Sequence, residues 1–566
     1  MKGKKLCAAI MLSILFCFCA AVIFAQDANF AQAARITLGS GNVTINRAGD
    51  YVLSGTLRNG QVLIDPGKNG VVRLQLNGAY IENPNGPAIY MKSGAELIIN
   101  LAAGTENTLI DGKNYRAVSA AGEDDPKAAL YVKNSLTIGG SGKLSVTGNY
   151  RNGIHAKDAL VISRESGNIS VNAVEEAIQG GDSVTILGGV FDLRAGNDGL
   201  KSNNSDAGKG NVTINGGMFT ITAGRDAVQA DNGLTINGGI FTIKTGGGAA
   251  AGAAISGRNS FGNGDWGARG WNRSAQFPAP AAAASGDSES YKAFKAGKEL
   301  VVSAGTFTID AQDDAFHSNG NLTVRRGTFS INTGDDAFHA DNALRVEGGT
   351  INILACYEGL EGKTIDIAGG GITIVSSDDA INAADGRATS GVNNSIYARI
   401  SGGTIKITAT GDGVDANGNL YLAGGELYVS GPSMGMQGAI DLDGSFVVSG
   451  GKLITAGSSL SPSSQSTQPV ILISYTAARN SGSVISLRDS SGRALLEYTA
   501  RTQFSASAFS SPDIKTGQTY GLYIDGKKIT DVTVRGTVTA MADNGGTYAV
   551  GRGGPGGGPG GGRGRR

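Results

Sequence analysis

Between residues 136 and 456 the chain repeats one phrase: a short run of alternating apolar and polar side chains, a glycine turn, and a second alternating run. VTINGGMFTIT, LTINGGIFTIK, LTVRRGTFSIN and LRVEGGTINIL are four copies, broken at Gly216-Gly217, Gly238-Gly239, Gly327 and Gly348-Gly349. Alternation of period two, rich in β-branched residues and bounded by glycine, predicts short strands. Each copy has a single apolar face that it cannot bury alone, so the copies must stack on one another. Beyond the first 25 residues there is no apolar stripe of helical period, and Gly-x-Gly runs lack a following helix, which excludes Rossmann and P-loop nucleotide sites.

The repeat also carries polar residues in register. Asp314, Asp336, Glu358 and Asp379 follow one another at intervals of 22, 22 and 21 residues, and the same column extends through Glu176, Asp198, Asp226, Lys292 and Asp412. Three residues on runs a second column of His155, Gln179, Lys201, Gln229, His317, His339, Glu361, Asn382 and Asp415. The expected fold is therefore an all-β solenoid with about 22 residues per coil. Residues 26–135 read as its cap and first coils, and residues 136–460 as the regular helix with a Gly/Ala/Ser-rich insertion at 246–289. Residues 461–548 lose the period but keep alternation, which predicts a small C-terminal β appendage, and 549–566 is a Gly/Arg tail of the kind that stays disordered.

Composition changes this picture at the ends. Residues 1–25 combine Lys2, Lys4 and Lys5 with an apolar run to Ala25 and read as a secretory signal, cut near Ala25 or, alternatively, Ala33. A secreted or cell-surface protein is expected, with no membrane span in the mature chain. Three of the four cysteines lie in that signal, leaving Cys356 with no internal disulfide partner. The chain has 48 basic and 48 acidic residues; three lysines leave with the signal and four arginines sit in the tail, so the body is mildly acidic and nucleic acid is not an expected partner.

Carboxylates stacked about 4.8 Å apart repel by about 3.5 kcal/mol per neighbour at an effective dielectric near 20. The column must therefore be solvated, tied up in turn hydrogen bonds, or loaded with cations. Its oxygen-rich donors suit a hard ion such as Ca²⁺. Asp314, His317, Asp336 and His339 would alternatively suit zinc, and a histidine beside a carboxylate can also simply hydrogen-bond to it.

DDAFHS, DDAFHA, YEGLEG and DDAINA in succession, together with GDYVLSGTL, NGPAIY and GTENTLIDG upstream, resemble the secreted carbohydrate-binding β-helix family related to polysaccharide lyases, over about residues 36–534. That resemblance implies a right-handed parallel β-helix that binds Ca²⁺ through its acidic coils and attaches to cellulose and acidic pectin-type polymers. Carried onto this chain, it implies Asp314, Asp336, Glu358, Glu361, Asp379, Asp412 and Asp415 as calcium ligands. Lys292 stands where the pattern calls for an acid, so its level is not expected to bind the ion.

Three functions compete. The first is a calcium-dependent polysaccharide-binding protein, with His317, His339, Trp266 and Trp271 as further sugar-contact candidates. The second is a pectate-type lyase in which Ca²⁺ acidifies the proton beside a uronate carboxylate and Lys363 or Lys201 removes it. The third is a structural or adhesive surface protein. Binding is the favoured reading, because the columns supply cation ligands without a cluster of basic groups beside them.

Overall fold

A computed structural model describes residues 30–115, 126–255, 289–385, 392–433, 437–458 and 460–548. The signal segment, Trp266, Trp271, most of the insertion and the tail lie outside the described residues. The fold is an all-β solenoid of about 15 turns with coils about 24 residues apart. The regular coils keep the 22-residue step, as in the pairing of Phe316 with Phe338 and of Phe338 with Leu360, whereas loops such as residues 203–210 lengthen others.

Each regular coil contributes one strand to each of three parallel sheets. In one coil these are Phe316–Ser318, Asn321–Val324 and Thr328–Thr333; we call the sheets short, middle and long. The ladders already include Ala34–Leu38, which pairs in parallel with Gly49–Arg58, so the stretch before residue 135 is built of coils, broader than the later ones. The only α-helix among the described residues, Ala249–Ile255, was not anticipated; it lies against the long sheet, where the Ala249 amide donates to Asp310 Oδ1 at 2.8 Å.

Alternation along each strand sends one set of side chains inward. Phe191, Phe219, Phe241, Phe307 and Phe329 are buried and stack with ring centroids 4.7, 4.8, 5.0 and 4.8 Å apart. Phe294, Phe316 and Phe338 form a second stack at 4.9 Å. The ring spacing is the strand spacing, so a phenylalanine repeated in register builds a stack without any local adjustment. The glycine turns serve the same register: Gly239 has φ 126°, and a Cβ there would sit 2.9 Å from the Phe241 ring. Cys356 is buried, as its place in the coil suggests.

The C-terminal region closes the end of the stack. Phe504–Ser510 pairs antiparallel with the last long-sheet strand, Lys452–Gly457, and with Val470–Arg479, which in turn pairs with Val538–Ala542. An open parallel edge is thereby covered by a strand of opposite direction, which blocks further edge pairing. Val484–Arg488, Ala494–Thr499, Thr519–Ile524 and Lys527–Thr533 form a separate antiparallel sheet over this cap.

Candidate polyanion and cation site

The two polar columns lie on the short sheet and on the turn that leads into it. Strand pairing aligns His155, Gln179, Lys201, Gln229, Lys295, His317, His339, Glu361, Asn382, Asp415 and Asp441 in succession. Sequence spacing found this line apart from Lys295 and Asp441.

The acids of the first column have a structural task that spacing alone does not reveal. One oxygen of each aspartate accepts the amide of the corresponding residue in the next coil. Asp198 Oδ1 takes the Asp226 amide at 3.1 Å, Asp226 Oδ1 that of Lys292 at 2.7 Å, and Asp314 Oδ1 that of Asp336 at 3.0 Å. Asp336 takes the Glu358 amide at 3.3 Å, Asp379 that of Asp412 at 2.6 Å, and Asp412 that of Gly438. Aspartate thus splices coil to coil where the backbone turns out of the ladder. The second carboxylate oxygen remains for other partners.

Those partners divide the column in two. In the N-terminal part the protein supplies its own cations. Lys201 Nζ sits 2.7 Å from Asp198 and 3.7 Å from Glu176, Lys295 lies 3.8 Å from Asp226, and Lys292 binds Asp313 at 2.9 Å and Asp314 at 2.7 Å. His317 Nδ1 donates to Asp314 Oδ2 at 2.8 Å, and His339 Nδ1 lies 3.1 Å from Asp336 and 2.5 Å from Glu361. Burial opposes a charge on His339, but the carboxylates of Asp336, Asp341 and Glu361 outweigh it and raise its pKa, leaving an imidazolium. Burial likewise opposes the charge on Lys292, and Asp314 and Asp313 overcome it.

Apart from Glu361, which His339 engages, the compensation stops from Glu358 onward. Among the described residues no lysine, arginine or histidine forms an ion pair with Glu358, Asp379, Asp412, Asp415 or Asp441. Burial, with the charge of Glu361 next, pushes the Glu358 carboxyl well above its usual range. Burial and neighbouring acids lift Asp379 to about 7, Asp412 to about 6 and Asp415 to about 8. Asn382 lies between Glu361 and Asp415 in the second column; its Nδ2 donates to Glu358 Oε2 at 2.9 Å, and its buried Oδ1 has no hydrogen-bond partner. A buried amide oxygen without a donor, beside carboxylates whose pKa values burial raises, makes an all-oxygen donor set of the type a hard cation takes.

Asp314, His317 and His339 converge, as do Asp336, His339 and Glu361, and Asp313, Asp314 and Asp335. Two of these triplets contain imidazole and all three border the built-in cations, so they fit Ca²⁺ poorly; the histidine-containing pair has the donors of the zinc alternative. Glu358, Asp379, Asp412 and Asp415 form no such tight triplet but share the stretch with the orphaned Asn382 oxygen. This all-oxygen stretch is the part that fits Ca²⁺. Asn382 and Asp441 were not among the predicted ligands, although Asn382 stands in the column that predicted Glu361 and Asp415.

The base candidates of the lyase reading are placed differently. Lys201 is engaged by two carboxylates; burial opposes its charge, but Asp198 leads a set of acids that raises its pKa. Lys363 falls outside the column, 3.9 Å from Asp385.

With this geometry in hand, comparison with known proteins decides the family. A profile described as carbohydrate-binding domain-containing protein matches residues 39–337 and 336–474. The chain belongs to that family. A carbohydrate-binding domain-containing protein of Acetivibrio thermocellus is 36% identical over 155 residues, which are 27% of this chain and 53% of the relative. The chain thus spans about half the length of that curated relative. A solved structure described as the polysaccharide lyase-like protein from C. thermocellum, gadolinium derivative, is 34% identical, with 38% of this chain and 92% of that chain covered and a TM-score of 0.36. No described helix of this carbohydrate-binding family member is long and apolar enough to cross a membrane.

Proposed function

We propose that this protein is a secreted, calcium-dependent binder of acidic, pectin-like polysaccharide, in which Ca²⁺ on the C-terminal part of the acidic column bridges to uronate carboxylates. The observation that carries this reading is the uncompensated stretch from Glu358 to Asp441 with the orphaned Asn382 oxygen. Glu358, Asn382, Asp379, Asp412 and Asp415 would hold the ion, which would supply positive charge with coordination positions left for polymer oxygens. The coils align these groups along the solenoid axis, the direction in which an extended glycan could lie. Asp314, Asp336 and Glu361 serve in this reading as the self-neutralised continuation of the same face.

Binding is favoured over elimination because Lys201 is held as a paired ammonium and Lys363 stands off the column. The test is retention of the full chain on immobilised polygalacturonate. Retention is expected with calcium and is expected to fall with chelator and with salt. Calcium-independent indifference to the polymer would remove the proposal, and ultraviolet-absorbing unsaturated product would favour the lyase.

A further inference from the structure

The outward face of the long sheet meets the C-terminal appendage in a cleft of about 430 Å³. One wall comes from Thr404–Ala409 and Glu426–Ser430; the other comes from Ala494–Thr499 and the residues just after it. The family profile ends at residue 474. One wall is therefore shared with the family and the other lies beyond the matched region.

Six side chains give the cleft its chemistry. Tyr428 and Tyr498 face each other across the junction, with ring centroids 5.6 Å apart and planes 24° from parallel. Both are half-buried, and both hydroxyls are pinned: Tyr428 donates to Glu426 Oε2 at 3.0 Å, and Tyr498 pairs with Ser430 Oγ at 2.8 Å. The two acids are already attended. Lys452 Nζ holds Glu426 Oε1 at 2.8 Å, and Arg488 lies 3.8 Å from Glu497. Lys406 and Arg501 are exposed in the same cleft, and among the described residues neither forms an ion pair.

Unlike the uncompensated part of the acidic column, this cleft carries two basic side chains that no ion pair among the described residues engages. Aromatic rings fixed by hydrogen bonds offer a partly apolar surface at little entropic cost, and a free guanidinium and ammonium beside them can take a carboxylate through charge-assisted hydrogen bonds. We propose that this cleft is a second glycan subsite, binding a uronate-bearing segment of an acidic oligosaccharide without metal, through Lys406 and Arg501 to the carboxylate and through the Tyr428–Tyr498 pair to the sugar. It takes its ligand class from the acidic-polysaccharide reading but does not depend on calcium, so the two can fail separately.

The experiment is calorimetric titration of the full chain with trigalacturonate in excess EDTA, repeated with the carboxyl-reduced trisaccharide and with the double variant Lys406→Gln/Arg501→Gln. Both substituted side chains are exposed, so the variant is expected to melt as the parent does. Binding in EDTA is expected for the acidic ligand, with a loss of about tenfold or more in the double variant and for the reduced ligand. Unchanged affinity in the double variant, or equal binding of the reduced ligand, would overturn the assignment. Absence of binding in EDTA with calcium-dependent retention intact would overturn this subsite alone, whereas absence under every condition would overturn both proposals.

Discussion

Asp415→Asn tests the logic of the uncompensated stretch. Asp415 stands between Asn382 and Asp441 on the short sheet, and its carboxyl is pushed up to about 8 from 3.8, by burial first and then by Asp379, Asp412, Asp441 and Asp443. A carboxyl raised in the folded state binds its proton more tightly there than in the unfolded chain. Below pH about 4 both states are protonated and the group costs nothing; as pH climbs toward about 8 the unfolded chain alone ionises, and stability falls. At about 1.4 kcal/mol per pH interval, raising pH from about 4 to 7 removes up to about 4 kcal/mol at this one group. In the proposed reading Ca²⁺ would supply the missing positive charge and should flatten the dependence, since a ligand that binds only the folded protein stabilises it by mass action. Thermal melting of parent and variant in EDTA and in Ca²⁺ at pH 5, 7 and 8 reads this directly. In EDTA the parent's Tm should drop with rising pH and the variant's should drop less; in Ca²⁺ the parent should be nearly flat and the variant should gain less. A parent Tm in EDTA that does not fall between pH 5 and 8, or a variant with the parent's full calcium response, would refute the reasoning.

Lys292→Met should leave Asp313 and Asp314 without their built-in cation and cost about 3–5 kcal/mol, read as a lower Tm with part of the loss restored by added Ca²⁺. Phe241→Ala removes a ring stacked between Phe219 and Phe307 and should cost about 3–5 kcal/mol, while polymer retention per folded molecule, measured well below the new Tm, stays unchanged. Gly239→Ala places a methyl group 2.9 Å from the Phe241 ring at a backbone φ of 126°, and should cost about 1–3 kcal/mol in denaturant unfolding.

The stacking of coils was legible in the chain because a period of 22 residues leaves its mark on every position at once: the glycine turn, the inward phenylalanine and the outward polar residue. The column of His317, His339, Glu361, Asn382 and Asp415 could be read by counting, since each regular coil restores the register. The division of that column was not legible. Lys295 lies in the line, but spacing does not reveal that Lys292 turns its ammonium back to Asp313 and Asp314 of the following coil, or that an aspartate oxygen caps the next coil's amide. The substitution of Lys292 for an acid marks a place where the protein carries its own counter-ion. Lys363 resembled a base because it follows Glu361 by two residues, but the strand runs on toward the middle sheet there and removes it from the column. The Tyr428–Tyr498 pair escaped notice for a topological reason: the two rings come from strands joined through the antiparallel cap, where no period relates one position to another.

In the proposed reading the stretch around Glu358, Asn382 and Asp415 holds calcium. Calorimetric titration of Ca²⁺ into chelator-treated full chain at pH 8 tests it most directly, beside Glu358→Gln and Asp415→Asn. Saturable binding heat in the parent, weakened in both variants and unaffected by Lys406→Gln/Arg501→Gln, is the predicted result; no heat in the parent, or equal heat in all four proteins, would contradict it.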